Sequence, residues 1–165
     1  MREEEEGRTS RVVVADDHPL FRDALARLVN SSSDLEVVAQ AEDGQQAVEL
    51  CRKLRPDLAL LDIAMPKMGG IEATRKLKQE ESSPLVLVVT ALAEPDCLLE
   101  AVRAGASGYV LKYASAQEMT ETIHKVLRGE SPLNQGLAMQ LFRRLIDEKS
   151  NPQRDSRPDQ LAADG

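Results

Sequence analysis

The sequence predicts an α/β fold, a doubly wound sheet of five parallel strands with an extra C-terminal helix. Three observations carry it. Between residues 11 and 128, short Val/Leu runs that are apolar throughout alternate with stretches whose apolar residues recur at helical spacing. Such continuous runs belong to strands covered on both faces, and the strand-helix alternation belongs to parallel crossovers. Gly and Pro fall between the segments, where breakers should be. The chain has 165 residues, 42% of them hydrophobic, enough for one core and short of two comfortable ones.

The first strand is expected at residues 12–15, and the helix after it is marked by Phe21, Ala24, Leu25 and Leu28. A second strand at 35–41 leads to a helix carrying Ala47, Leu50, Cys51 and Leu54, and Pro56 follows. The third strand, 58–61, precedes Gly69-Gly70 and a weaker helical pattern over 71–77. Past Pro84 come a fourth strand at 85–89 and a helix with Leu98, Ala101, Val102 and Gly105. The fifth strand, 108–111, is followed by Met119, Thr122, Ile123 and Val126. Gly129-Glu130-Ser131-Pro132 then breaks the chain before one more amphipathic pattern, Leu133, Leu137, Leu141 and Leu145 flanked by Ala138, Phe142 and Ile146. The expected division is a disordered acidic tail at 1–10, the domain at 11–128, a linker helix at 129–149 and a disordered linker at 150–165, where Leu161 is the one large apolar residue.

Composition narrows the function. Lys and Arg number 21 against 28 Asp and Glu, a net charge of −7, which disfavours duplex DNA as a direct partner and suits cations. Aromatic residues make up 2% of the chain, too few for a base-stacking surface. Cys51 and Cys97 match no metal-ligand spacing and read as small apolar residues of helices in a reduced, cytoplasmic protein. The N-terminus has no signal-peptide pattern and no apolar run reaches membrane-spanning length, so neither export nor membrane insertion is expected.

In an open parallel sheet the working site lies beyond the carboxyl ends of the strands, where strand order reverses. There strand one ends in Asp16-Asp17, strand three in Asp62, strand four in Thr90 and strand five in Lys112. Taken singly, each has an ordinary reading: a cap or turn aspartate, a surface lysine. Together they are three carboxylates, a hydroxyl and an ammonium on one edge. Like charges about 4 Å apart repel by about 4 kcal/mol at an effective dielectric of 20, so the carboxylates call for a cation. Mg²⁺ prefers such oxygens and shares its octahedron between carboxylates and phosphoryl oxygens. Lys112 and Thr90 would serve those phosphoryl oxygens as counter-charge and donor.

With Asp16-Asp17, Asp62-Ile63-Ala64-Met65-Pro66, Gly69-Gly70, Thr90-Ala91 and Lys112 in this order and spacing, residues 11–128 resemble the receiver domains of bacterial two-component response regulators. Asp17-His18-Pro19-Leu20-Phe21-Arg22, Gly108-Tyr109-Val110-Leu111-Lys112 and the helix after the domain look most like the NarL/FixJ subfamily, whose receivers precede a LuxR-type helix-turn-helix domain. The resemblance implies a flavodoxin-like strand order 2-1-3-4-5. It implies that Asp62 accepts a phosphoryl group from a phosphohistidine on a sensor histidine kinase. Mg²⁺, with Mn²⁺ as a substitute, would be held by Asp17, Asp62 and the Ala64 carbonyl, and by Asp16 through water. Thr90 and Lys112 would hold phosphoryl oxygens, and Thr90 would couple to a rotation of Tyr109 from exposed to buried. The protein would be a signalling switch rather than an enzyme with a separate substrate, acting as a phosphorylation-sensitive homodimer. It would reach DNA only through a C-terminal helix-turn-helix domain beyond this sequence.

Other readings compete. A haloacid-dehalogenase-like phosphohydrolase needs a second Asp two residues past the nucleophile, and position 64 is Ala. A flavodoxin-like cofactor binder needs a phosphate cradle after strand one, where Asp16-Asp17 would repel it. A degenerate receiver that only binds partners would not need all five residues. Ala64 and Leu92 offer no polar group to orient a hydrolytic water, so slow loss of the phosphoryl group is expected. Tyr113 follows Lys112 where many receivers have Pro, and a non-proline cis bond costs about 3–4 kcal/mol. His18 reads as a helix-start residue rather than a ligand or phosphodonor, and His124 as a surface residue.

Overall fold

A computed structural model describes residues 7–91 and 94–130, together with Arg143 and Ile146. The acidic run, Leu92, the Leu133, Leu137, Leu141 and Leu145 stripe, and residues 150–165 lie outside the described residues.

Five strands are present, β1 (Ser10–Ala15), β2 (Leu35–Ala41), β3 (Leu58–Leu61), β4 (Leu85–Thr90) and β5 (Gly108–Leu111). They alternate with α1 (Pro19–Asn30), α2 (Gly44–Leu54), α3 (Gly70–Lys78), α4 (Pro95–Ala104) and α5 (Ala116–Leu127). All pairings are parallel and the order is β2-β1-β3-β4-β5, the doubly wound topology expected from the resemblance. β1 starts at Ser10, β4 runs on to Thr90, and the weak third helical pattern is a nine-residue helix.

Alternation along each strand sorts the core into two layers. Val13, Ala15, Ala59, Leu61, Val86, Val88 and Tyr109 face α2, α3 and α4, whose Ala47, Cys51, Ala73, Leu77 and Leu98 they meet. Val12, Val14, Leu58, Leu60, Leu87, Val89 and Val110 face α1 and α5 through Leu25, Val29, Met119, Ile123 and Val126. Each large aliphatic side chain so buried contributes about 1.5–3 kcal/mol against leaving it in water. β3 is buried at every position, which is why its LALL run carries no period of two.

The helices begin and end as local chemistry dictates. Asp43 accepts from the Gln46 amide at 2.8 Å and Ser115 from the Glu118 amide at 3.0 Å, each capping a helix start. Gly105 ends α4 at φ 109°, a left-handed cap that glycine adopts without strain. At the start of α3, a Cβ on Gly70 would lie 2.1 Å from the Asp62 carbonyl oxygen. Only glycine lets α3 dock against the backbone that carries Asp62.

Candidate functional site

β1 and β3 are neighbours at the centre of the sheet, and crossovers leave them toward opposite ends of the strand order. This is the reversal point at which a crevice opens. The residues just past their ends, Asp16 and Asp62, are therefore brought side by side. The Asp16 amide donates to Ala41 O at 3.0 Å and the Asp62 amide to Ala15 O at 3.1 Å, so both backbones belong to the strand ladder. Asp16 and Asp62 are 1% and 4% exposed, while Asp17, one residue further, faces solvent.

Lys112, just past β5, reaches back across β4. Its Nζ lies 2.8 Å from Asp16 Oδ2 and 3.1 Å from Asp62 Oδ2. Burial lifts the Asp62 carboxyl above the usual range and the Asp16 charge adds to it, against the Lys112 hydrogen bond and charge and a backbone hydrogen bond from Ala64. For Lys112, burial alone would lower the ammonium, but its hydrogen bonds and charge interactions with Asp16 and Asp62 outweigh it and raise the pKa. Phe21 of α1 supplies an aromatic face 4.7 Å from Nζ, and Arg22 Nη1 donates to the Asp16 carbonyl at 2.8 Å.

Thr90 is 1% exposed and ends β4, between the strands carrying Asp62 and Lys112. Since Leu61 pairs with Val88, Thr90 stands one residue further along its strand than the level of Asp62, and its carbonyl accepts from the Lys112 amide at 2.8 Å. Ala64 sits exposed in the loop after Asp62. In that loop the Met68 amide donates to Pro66 O at 2.7 Å across Lys67, whose φ is 66°, a γ-turn in the left-handed region. Tyr109 is 2% exposed and packs in the cluster with Leu98 and Leu99, and burial pushes its phenol far up. It is thus already inward in this state. All peptide bonds among the described residues are trans, the Lys112-Tyr113 bond included.

The acid cluster has a fourth member. One ligand atom from each of Asp16, Asp17, His18 and Asp62 lies within 4.8 Å of the others. Sequence reading weighed His18 as a ligand or phosphodonor and placed it instead at the start of a helix, which it does begin; it did not foresee the Phe21 face or the Arg22 contact. The signal was present: 18, 21 and 22 have i, i+3, i+4 spacing and so share one face of the first turn. His124 is partly covered and pairs with Asp34 at 2.9 Å, so it is a linking rather than a free surface residue.

Three carboxylates facing one ammonium leave a surplus of two negative charges, and their oxygens are hard donors. That donor set fits a dication such as Mg²⁺. A parallel sheet ordered 2-1-3-4-5 with an acid pocket at its reversal point and a lysine reaching it is the receiver arrangement. The response regulator receiver domain model matches residues 12–124. The response regulator GacA of Pseudomonas aeruginosa is 39% identical over 131 residues, 79% of this chain and 61% of the relative. The transcriptional regulatory protein DegU of Brevibacillus brevis is 38% identical over 141 residues, 84% of this chain and 60% of the relative. The crystal structure of a LuxR-family two-component response regulator from Aurantimonas sp. SI85-9A1 superposes with a TM-score of 0.77 at 33% identity, covering 84% of this chain and 99% of that one. The chain belongs to the response regulator receiver family, and its relatives are NarL/LuxR-type regulators. It spans about three-fifths of the length of the first two.

Proposed function

We propose that this receiver is a phosphoacceptor switch in which Asp62 takes a phosphoryl group from a sensor histidine kinase. The observation that carries the reading is the doubly held lysine: Nζ of Lys112 bridges Asp16 and Asp62 at 2.8 and 3.1 Å, at the point where strand order reverses. A carboxylate oxygen of Asp62 attacks phosphorus; the phosphorus–oxygen bond forms as the phosphorus–nitrogen bond to the donor imidazole breaks, and the imidazole nitrogen takes up a proton.

Asp17, Asp62 and the Ala64 carbonyl would hold Mg²⁺ or Mn²⁺, with Asp16 acting through water. The ion, when bound, neutralises charge on the phosphoryl oxygens. Asp16 keeps Lys112 close, so that the ammonium can move to a phosphoryl oxygen once Asp62 is modified. Thr90 donates to a second oxygen. Its movement toward the phosphoryl group biases Tyr109, which this state already holds inward, and so changes the face formed by α4, β5 and α5. On that face Val102 and Tyr113 are exposed at 42% and 73%, apolar area available to a second copy. A phosphorylation-sensitive homodimer in the bacterial cytoplasm, acting on DNA through a C-terminal helix-turn-helix output domain, completes the reading. Among the described residues no helix is long and apolar enough to cross a membrane.

The test is intact-mass measurement after incubation with Mg²⁺ and a small phosphodonor. One added phosphoryl group, absent when the metal is chelated and absent in Asp62→Asn, supports the reading. No labelling of the wild type under any metal condition would overturn it.

A further inference from the structure

The first turn of α1 holds a side chain that the switch reading leaves unused. His18 is the N-cap of α1, with extended backbone at φ −94° and ψ 105°, yet its side chain makes no capping hydrogen bond. Pro19 follows it and confines its backbone to that extended region. The His18 amide donates to Asp16 Oδ1 at 2.8 Å. The root of the side chain is therefore fixed, and the side chain is 68% exposed. Its Nδ1 stands 3.2 Å from Asp16 Oδ1, 3.3 Å from Asp17 Oδ1 and 3.3 Å from Lys112 Nζ. One ring nitrogen cannot donate to two carboxylates and accept from an ammonium at once. It sits among the oxygens that would bind the cation, so it is placed as a further ligand atom.

We propose that His18 sets the metal preference of this site, adding an imidazole nitrogen for transition-metal dications and leaving Mg²⁺ to the carboxylate oxygens. The inference rests on the metal reading of the acid cluster given above. The chemistry separates the two ions. Mg²⁺ is a hard cation that takes oxygen and retains water, whereas Co²⁺ and Zn²⁺ bind imidazole well and gain from replacing an oxygen by nitrogen. A site built from Asp16, Asp17 and Asp62 alone would discriminate less. With His18 it should favour Co²⁺ over Mg²⁺ by more than the carboxylates provide.

The experiment is calorimetric titration of the full 165-residue chain with MgCl₂ and with CoCl₂, for wild type, His18→Ala and His18→Asn, with the visible spectrum of bound Co²⁺ recorded alongside. Asn is a good helix N-cap and offers oxygen, so it preserves the helix start while removing the nitrogen. Only Co²⁺ that Mg²⁺ displaces is counted, which removes any ion held by His124 and Asp34. Both variants should keep Mg²⁺ affinity within about twofold and lose about 10–100-fold in Co²⁺ affinity, the scale on which supporting residues tune metal sites. The Co²⁺ absorption of the wild type should shift in both. Equal losses for the two ions, or no loss for either, would overturn the proposal while leaving the acid site intact as a metal site. Failure of the wild type to bind either ion would instead bring down the metal reading itself.

Discussion

The Lys112 ammonium, held by Asp16 and Asp62, rests 4.7 Å from the centroid of the Phe21 ring. A cation over an aromatic face is stabilised by about 0.5–2 kcal/mol, depending on desolvation. Phe21→Leu should keep most of the packing and lose this positioning, slowing phosphorylation of Asp62 by about 2–20-fold, whereas Phe21→Tyr should stay near wild type. Initial rates by intact mass would check the pair, and equal rates for Leu and Tyr would remove Phe21 from the site.

Asp62→Asn should abolish phosphoryl acceptance and leave the metal-free fold at least as stable at neutral pH. The sign follows from the raised pKa, which burial causes first and the Asp16 charge second. With a folded pKa above the unfolded one, ionised Asp62 costs stability at neutral pH, and the cost fades as pH falls through the folded pKa. The advantage of Asn should therefore shrink toward about pH 4. Thermal unfolding across that range in chelated buffer measures it.

Asp17→Ala should weaken Mg²⁺ binding more than Asp16→Ala, as direct ligation by Asp17 requires. Stability should rank the other way. Asp16 is buried, accepts the His18 amide and pairs with Lys112, so its loss leaves a covered ammonium with one partner fewer. Lys112 keeps Asp62 as a partner, so the loss should fall short of the about 3–5 kcal/mol of a buried charge left wholly unpaired, while the exposed Asp17 should cost little. Calorimetry with Mg²⁺ and denaturant unfolding without it separate the two rankings.

Burial, with a smaller contribution from Glu80, pushes the Cys51 thiol up to about 12. At pH 8 about one thiol in ten thousand would be thiolate even if reagent could reach it. Iodoacetamide should modify Cys97, which is only partly covered, well before Cys51, and Cys51 should react at the rate of unfolding. Peptide mapping over time reads both.

Lys67→Gly should stabilise the fold by about 0.5–1 kcal/mol. The left-handed γ-turn strains any residue with a Cβ by about 1–3 kcal/mol, against about 0.5–1 kcal/mol of extra chain entropy for glycine. The Lys67–Asp43 contact that is lost is long, at 3.9 Å, and solvent-exposed on the lysine side. A rise in midpoint with unchanged denaturant slope is the expected outcome.

Strand positions were legible because LALL and VVVA can be little else between breakers, and strand ends then delivered Asp16, Asp62, Thr90 and Lys112 to one edge. Which strands are neighbours was not in the runs; it came from the family likeness. Nor could spacing alone foresee that Lys112 spans to Asp16 as well as Asp62, since that depends on β5 lying two strands from β3 and on the reach of a four-carbon stem. His18 was legible only in part, for a different reason. Its backbone role as a helix start is local and readable, but the direction of its ring is set by Asp16 and Lys112, 94 residues apart from it in the second case.

The amide of Asp62 is bonded to Ala15 of β1, between two interior strands, whereas that of Asp16 is bonded to Ala41 of β2, an edge strand. The Asp62 hydrogen can exchange with solvent only when β1 and β3 part at that end, an opening that costs more than release of an edge strand. The residue that would carry the chemistry is thus also a gauge of how firmly the sheet's interior holds. A substitution elsewhere in the core, at Val29 or Val126 for instance, would register as faster exchange at the phosphoacceptor itself, before any change in its surroundings could be seen.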